Sequence, residues 1–294
     1  MKRETIYALG FFDGVHLGHQ ALLRACGHLA AGKGCKAGVV TFSSHPDTLV
    51  IGQTPLLINT LEDRQRLFIP YGVSDIRVLP FNKALMNMPW QVFLEDLIQT
   101  GAAGFVCGDD FRFGFRGEGN ARMLADFCRE RDLPWAVVPA QSLNGITVSS
   151  THIRTLLEKG EMEQAVRFLG HPHILTGKVI SGHQLGRTLG IPTANLALPE
   201  GIVQPKSGVY ACKAVVDGIE YLAVTNVGCR PTVGGNHITV EPWLLDFAGD
   251  LYGKELTLSF HTYLRQEEKF PSLEALRKEI HKNAEQTRKI LQKI

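Results

Sequence analysis

Two histidines three residues apart, His16 and His19, stand just after a short apolar run in the string Gly10-Phe11-Phe12-Asp13-Gly14-Val15-His16-Leu17-Gly18-His19. On the first turn of a helix, residues three apart share a side, so both imidazoles reach one group, and Gly18 lets backbone approach closely. A helix start also offers free N–H groups and partial positive charge, which favour phosphate. Two imidazoles there suit stabilisation of the charge that builds on a phosphate during displacement, with no covalent enzyme intermediate. Alone, an H-x-x-H pair equally fits two polar residues at a helix start or half of a metal site. A second string, Val148-Ser149-Ser150-Thr151-His152-Ile153-Arg154, sets hydroxyls and N–H groups at another helix start, with Arg154 as a permanently charged fork. In Gly108-Asp109-Asp110-Phe111-Arg112-Phe113-Gly114, the two phenylalanines suit stacking on a flat heterocycle or plain core filling. Within the glycine-bracketed stretch 186–195, a Thr193 hydroxyl and an Asn195 carbonyl two residues apart suit a hard cation such as Mg²⁺, which bridges substrate phosphates. By itself Pro192-Thr193-Ala194-Asn195 is also an ordinary turn.

These residues need elements to hold them. From residue 1 to about 168, short apolar runs alternate with segments of helical period, the pattern of β-α units around a mostly parallel sheet. Ile6–Leu9, Ala37–Phe42, Asp75–Leu79, Gly104–Cys107 and Trp135–Val138 read as buried strands. Leu22, Leu23, Cys26 and Leu29 share one helical face, as do Phe93, Leu94, Leu97 and Ile98. Thr60 and Asp63 resemble a capping box ahead of a helix carrying Leu61, Leu67 and Phe68. The expected architecture is α/β, a doubly wound parallel sheet whose strand ends present the histidine and phenylalanine strings. After Gly170-His171-Pro172 the segments become short, rich in Val, Ile, Tyr and Thr, and separated by glycine turns. Gly177–Ile180, Val209–Val216, Tyr221–Val227, Ile238–Glu241 and Glu255–Thr262 suit a small antiparallel barrel or sandwich, and a helix capped by Ser272 follows with Leu273, Leu276, Ile280 and Ile290. Two domains are expected, residues 1–170 and 171–294.

Composition excludes several classes. The 294 residues are 44% hydrophobic and 20% charged, far from the disordered corner. Lys and Arg number 31 against 29 Asp and Glu, a net charge of +2, so the footprint of a dedicated nucleic-acid binder is absent and an anionic ligand needs a local site. The six cysteines form no C-x-x-C pair, which argues against a zinc ribbon or disulfide framework and for reduced, structural thiols. No stretch approaches the roughly 20 apolar residues needed to span a bilayer, and the N-terminus has no secretory pattern; a cytoplasmic protein without membrane or nucleic-acid partners is the expectation.

The histidine string resembles the H-x-G-H motif of the nucleotidyltransferase superfamily, and the longer Phe12-Asp13-Gly14-Val15-His16-Leu17-Gly18-His19 closely resembles its flavin-nucleotide branch. Residues 148–154 resemble the branch's I-S-S-T-x-I-R motif, with Val148 the departure, and residues 108–114 its G-x-[ND]-F-x-F-G segment, with Asp110 where Asn is frequent. Thr41-Phe42-Ser43-Ser44-His45-Pro46 resembles a third segment, with Ser44 in place of Pro. Gly190-Ile191-Pro192-Thr193-Ala194-Asn195 resembles the G-x-P-T-A-N signature of riboflavin kinases, Thr239-Val240-Glu241 their general-base segment, and residues 246–253 the following D-F-x-G-D-L-Y-G. The stretch 226–235 is similar to N-x-G-x-R-P-T-x-G-G, and Arg265 with Phe270 and Leu273 to the R-x-E-x-K-F-x-S-L-E ending. Pro242-Trp243 departs from the small or β-branched residue and His usual after the glutamate; proline is expected to remove a ladder hydrogen bond, and Trp243 to reshape the flavin pocket.

The resemblance is to the bifunctional riboflavin kinase/FMN adenylyltransferase (prokaryotic FAD synthetase) family, and runs from about residue 6 to 285. It implies that the barrel transfers the γ-phosphoryl of Mg–ATP to riboflavin with Glu241 as base, and that the sheet domain joins FMN to the AMP part of ATP, giving FAD and pyrophosphate. His16 and His19 would stabilise that second transition state. ATP contacts are implied at Gly10, Phe12, Gly18, Ser150, Thr151, Arg154, Thr193 and Asn195, flavin contacts at Asp110, Phe111, Phe113 and Arg265, and Mg²⁺ at Thr193 and Asn195. Two alternatives are a monofunctional adenylyltransferase with an inactive barrel, and a flavin-sensing regulator without turnover.

Overall fold

The first strand, β1 (Thr5–Leu9), is buried along its whole length, and its alternate residues serve two cores. Ile6 and Ala8 join Leu22, Leu23, Val39 and Phe68 on one side, while Tyr7 and Leu9 join Leu94, Phe105, Leu124 and Phe127 on the other. A strand dry on both faces requires helices on both sides of its sheet. The computed structural model describes residues 4–180, 190–232 and 235–292; the 181–189 stretch, including the start of the Gly186–Asn195 loop, and the side chains of 229–238 lie outside the described residues. The chain divides into two compact units, Met1–Ser150 and Thr151–Ile294.

In the first unit, β1, β2 (Lys36–Phe42), β3 (Val73–Leu79), β4 (Ala102–Gly108) and β7 (Trp135–Val138) form a parallel sheet in the order β3-β2-β1-β4-β7. The helices are α1 (Leu17–Lys33), α2 (Asp47–Val50), α3 (Leu61–Phe68), α4 (Lys83–Met86), α5 (Trp90–Gln99) and α6 (Ala121–Glu130). Strand order reverses between β1 and β4, so the crevice beyond their carboxyl ends is the switch point where doubly wound sheets bind ligands. The histidine string follows β1 there, and Gly108–Gly114 follows β4 there. Two hairpin ladders not expected from the sequence, β5 (Arg112–Phe113) with β6 (Gly119–Asn120) and β8 (Ser142–Leu143) with β9 (Ile146–Thr147), are too short to leave a periodic signal.

Thr60 caps α3, its Oγ1 accepting from Asp63 N at 3.0 Å; Phe68 is buried in the core with Leu67 packed against it, and Asp63 and Arg64 are buried as well. Four of the cysteines, Cys26, Cys107, Cys128 and Cys212, are buried free thiols, Cys35 is partly exposed and free, and Cys229 lies outside the described residues.

The second unit opens with α7 (Ser150–Lys159) and α8 (Met162–Leu169). A closed antiparallel barrel follows in the order β10-β11-β14-β13-β12-β15, made of β10 (His173–Ile180), β11 (Asn195–Ala197), β12 (Gly208–Val216), β13 (Ile219–Thr232), β14 (Gly235–Leu244) and β15 (Glu255–Arg265). Closure removes sheet edges. Strand β11, read as loop from the sequence, exists because it bridges β10 and β14; three residues cannot announce themselves by period. Pro242 does not interrupt β14: the strand stays in register with β13, Thr225 opposite Pro242, and the Pro242 carbonyl accepts from Ala194 N at 2.9 Å. In an antiparallel strand a residue's N–H and C=O point the same way, so the missing donor falls on the short β11 side and the β13 ladder is spared.

Helix α9 (Leu273–Leu291) starts at Ser272, whose Oγ accepts from Ala275 N at 3.1 Å. Its buried residues are Asn283, Ala284, Thr287 and Leu291; Leu276 and Ile280 are half-buried and Leu273 is exposed. The helix packs Ala284 against Val209, Val224 and Leu245 of the barrel wall.

Candidate functional site

The loop between β1 and α1 is over-determined by hydrogen bonds. Its Phe11 carbonyl accepts from Arg64 Nη1 at 2.5 Å and Thr41 Oγ1 at 2.9 Å. The Phe12 carbonyl accepts from Val15 N, the Asp13 carbonyl from Ser150 Oγ at 2.9 Å, and the Val15 carbonyl from Gln20 Nε2 at 3.0 Å. The Asp13 carboxylate in turn accepts from Ile58 N at 2.8 Å. These bonds hold a strained backbone: Phe12 has φ 62° and Val15, a β-branched residue, φ 41°. Such conformations cost on the order of 1–3 kcal/mol each and persist where surrounding contacts enforce them.

The loop delivers His16 to the cap of α1, where its Nδ1 accepts from His19 N at 3.4 Å. That bond leaves the proton of a neutral His16 on Nε2. The two imidazoles stack, centroids 3.7 Å apart and 15° from parallel. Burial, then His16, then Arg64 hold the His19 pKa well below the ordinary imidazole range. His19 Nδ1 is buried with no hydrogen-bond partner among the described residues. Two stacked neutral imidazoles therefore stand on free helical N–H groups, a donor set for an anion.

The other residues expected here take different positions. Gly10 leaves room for the Phe12 ring, which an added Cβ would meet at 3.1 Å, and Gly18 leaves room for His16, met at 3.2 Å. The Phe12 side chain is fully buried, which leaves only its backbone for a ligand to meet. Ser150 begins α7, Thr151 is exposed and Arg154 is half-buried on its first turn. Phe111 and Phe113 stack on each other at 5.3 Å, with Phe113 buried. A cavity of about 840 Å³ is lined by Phe113 with Phe42, Pro46, Phe93, Arg112 and Arg116, but not by Phe111 or the exposed Asp110. Of the three flavin candidates after β4, the fold brings one to a cavity wall.

In the barrel, Thr193 and Asn195 flank the buried Ala194, so both face one side. Thr193 is part of two cavity walls. One cavity, about 280 Å³, also carries Glu241, Trp243, Asn226, Arg265 and, from α9, Ile280. The other, about 680 Å³, carries Phe247, Gly249, Asp250 and Tyr252. Glu241 and Trp243 are two apart on β14 and share a face; the Trp243 ring meets His281 of α9 edge-on at 5.7 Å, so it does shape this pocket. Arg265 is fixed by Asn283 Oδ1 at 3.1 Å and lies 5.4 Å from the Phe270 ring. Residues missed by sequence reading are Arg64 and Gln20; the available signal for Arg64 was a cation on the helix that also carries the core residue Phe68.

A parallel sheet with paired imidazoles at its switch point, followed by a barrel in which a hydroxyl lines two cavities and a carboxylate lines one of them, is the arrangement of a two-unit transferase. Residues 1–152 match the family model for FAD synthetase and residues 169–291 that for riboflavin kinase. Curated relatives described as bifunctional riboflavin kinase/FMN adenylyltransferase include those of Listeria monocytogenes (34% identical, 99% of this chain and 94% of the relative), Bacillus subtilis (33%, 97% and 92%) and Pseudomonas fluorescens (36%, 95% and 90%). The fold matches a crystal structure from Streptococcus pneumoniae, described as a macrolide-efflux protein, at TM-score 0.88 and 29% identity over 98% of this chain and 95% of that one. Among the described residues, no helix is long and apolar enough to cross a membrane. The chain belongs to the bifunctional riboflavin kinase/FMN adenylyltransferase family.

Proposed function

We propose that this chain carries out both steps from riboflavin to FAD, with residues 171–294 as the kinase and 1–170 as the adenylyltransferase. The observation that carries the reading is that each unit holds its own candidate set: stacked His16 and His19 at a helix start in one, and in the other Glu241 and Thr193 on one cavity, with Thr193 also lining a second. Full-length relatives with both activities in their names support it over an inactive barrel or a non-catalytic sensor.

In the kinase unit, the Glu241 carboxylate takes the proton from the ribityl 5′-hydroxyl, whose oxygen bonds to the γ-phosphorus as the bond to ADP breaks. The flavin occupies the Glu241–Trp243–Arg265 cavity, and ATP the cavity of Phe247 to Tyr252; Thr193, common to both, marks the crossing point. Thr193 and Asn195 offer the hard oxygen donors that suit Mg²⁺, and among the described residues no cluster of three His, Cys, Asp or Glu competes for it. Bound there, Mg²⁺ would neutralise phosphate charge.

In the adenylyltransferase unit, an FMN phosphate oxygen bonds to the ATP α-phosphorus as pyrophosphate leaves. His16 and His19 donate to the oxygens that gain charge, and the free N–H groups of α1 add partial positive charge. Ser150, Thr151 and Arg154 hold the triphosphate, with Gly10, Gly18 and the Phe12 backbone giving close approach. Phe113, with Phe111 stacked behind it and Asp110 at the strand end, belongs to the flavin side. The chain acts in the cytoplasm on small molecules.

Incubation with riboflavin, ATP and Mg²⁺, followed by chromatography, should yield FMN and then FAD. Glu241→Gln should abolish riboflavin consumption and spare conversion of FMN to FAD; His19→Ala should do the reverse. Loss of both activities in either folded variant would refute separate sites, and no turnover by the wild type would refute both enzymatic assignments.

A further inference from the structure

Arg64 is fully buried, at 0% exposure, on an eight-residue helix whose other inward residues include Phe68. Burying a guanidinium is costly unless its donors are matched, and an apolar side chain of similar volume would fill such a place as well or better. Among the described residues Nε has no hydrogen-bond partner, and the matching falls on the two terminal nitrogens. Nη1 donates to the Phe11 carbonyl at 2.5 Å and to Thr41 Oγ1 at 3.3 Å, Nη2 to the Phe42 carbonyl at 3.2 Å, and the guanidinium carbon lies 4.3 Å from the centre of the Phe11 ring. The Thr41 hydroxyl itself donates to the same Phe11 carbonyl. One planar fork thus ties the carboxyl ends of β1 and β2 together, immediately before the strained turn that sets His16 and His19.

We infer that Arg64 is the positioning residue of the adenylyl-transfer site: it fixes the Phe11–His16 turn through Phe11 and Phe42 and places a buried positive charge within electrostatic reach of His19. The inference rests on the adenylyltransferase reading above. Arg64 reaches no reacting atom; it acts through the loop and through its field. The groups that act electrostatically on His19 are His16 on its own turn and Arg64 on α3, while Asp13 and Glu62 face Arg64. Lysine keeps the charge but, with one nitrogen on a flexible stem, cannot bridge both carbonyls.

The test uses the full chain and the variants Arg64→Met and Arg64→Lys. FAD formation from FMN and ATP is measured alongside riboflavin phosphorylation, and the His19 ring is titrated by NMR. Arg64→Met should lower kcat for FAD formation about 30-fold with KM for FMN changed less than about 3-fold, because the defect lies in the transition state. Riboflavin phosphorylation should stay at the wild-type rate, and His19 should titrate at higher pH than in the wild type. Arg64→Lys should lower kcat about 5-fold and leave the His19 titration near the wild-type position. An unchanged kcat in either folded variant, or a His19 titration unmoved in Arg64→Met, overturns the inference. If Arg64→Met does not fold, Arg64→Lys decides, a kcat loss with native melting supporting the inference and an unchanged kcat refuting it. Absence of FAD formation by the wild type would count against the adenylyltransferase reading itself; the NMR titration of Arg64→Met would still decide the role of Arg64.

Discussion

At the scale of single residues, the adenylyl site depends on space as much as on donors. A Cβ at Gly18 would lie 3.2 Å from His16 Cε1, tighter than ordinary contact, in a helix whose backbone there is unstrained. Gly18→Ala should therefore fold, yet tilt His16 off the stack. Steady-state assays should find kcat for FAD formation down about 10-fold, since misplacement of about 1 Å is enough for such losses, with riboflavin phosphorylation unaltered. The residue types at the proposed reacting positions stand out in the sequence: His16, His19, Thr193, Asn195 and Glu241 lie in strings long enough to be distinctive. Phe111 and Asp110 show the opposite case. Of these and Phe113, only Phe113 lines the cavity: the Phe111 ring stacks against Phe113, and Asp110 stays exposed beyond the end of β4.

Among elements, the long periodic ones were legible and the short cross-linked ones were not. Phe93, Leu94, Leu97 and Ile98 form the buried face of α5 as their spacing predicts, and Trp135–Val138 is a strand at those limits. Helix α3 shows both kinds of information: its Phe68 packs in the core as an apolar residue at helical spacing would, while the buried Arg64 beside it serves the loop ahead of α1, which no local period announces. Helix α9 carries a consequence for activity. It supplies Leu276, Ile280 and Asn283 to the Glu241 cavity, and Asn283 holds Arg265. Ser272→Ala removes the cap bond to Ala275, a change worth about 1 kcal/mol of helix stability. Fraying of the first turn should raise KM for riboflavin about 2- to 5-fold with little change in FAD formation from FMN; equal KM values in the two proteins would show that the first turn does not support the cavity.

For the molecule as a whole, acid stability should depend on buried neutral histidines in both units, His19 in the first and His173 in the barrel. His173, at the start of β10, is 0% exposed, neither ring nitrogen has a hydrogen-bond partner among the described residues, and burial, then His171, push its pKa down to about 3. An unfolded histidine takes up its proton near pH 6.5. Between that pH and about 3 the unfolded chain binds more protons than the folded one, so stability is complete above pH 6.5 and declines as pH falls, by at most about 1.4 kcal/mol per unit. Thermal melts from pH 7 to pH 4 should show this decline in the wild type and a flatter curve for His173→Leu; parallel curves would assign acid sensitivity elsewhere. The chain alone determined its two-unit order and the kinds of chemistry each unit carries, because spacing along a strand or a helix turn is a local property that periodicity and side-chain type express directly. Tertiary structure decided that Arg64 crosses 53 positions to hold Phe11, that three residues close the barrel, and that Thr193 faces two cavities at once. Those are contacts between distant segments, and no local pattern encodes which distant segment a side chain will meet until the cores have packed.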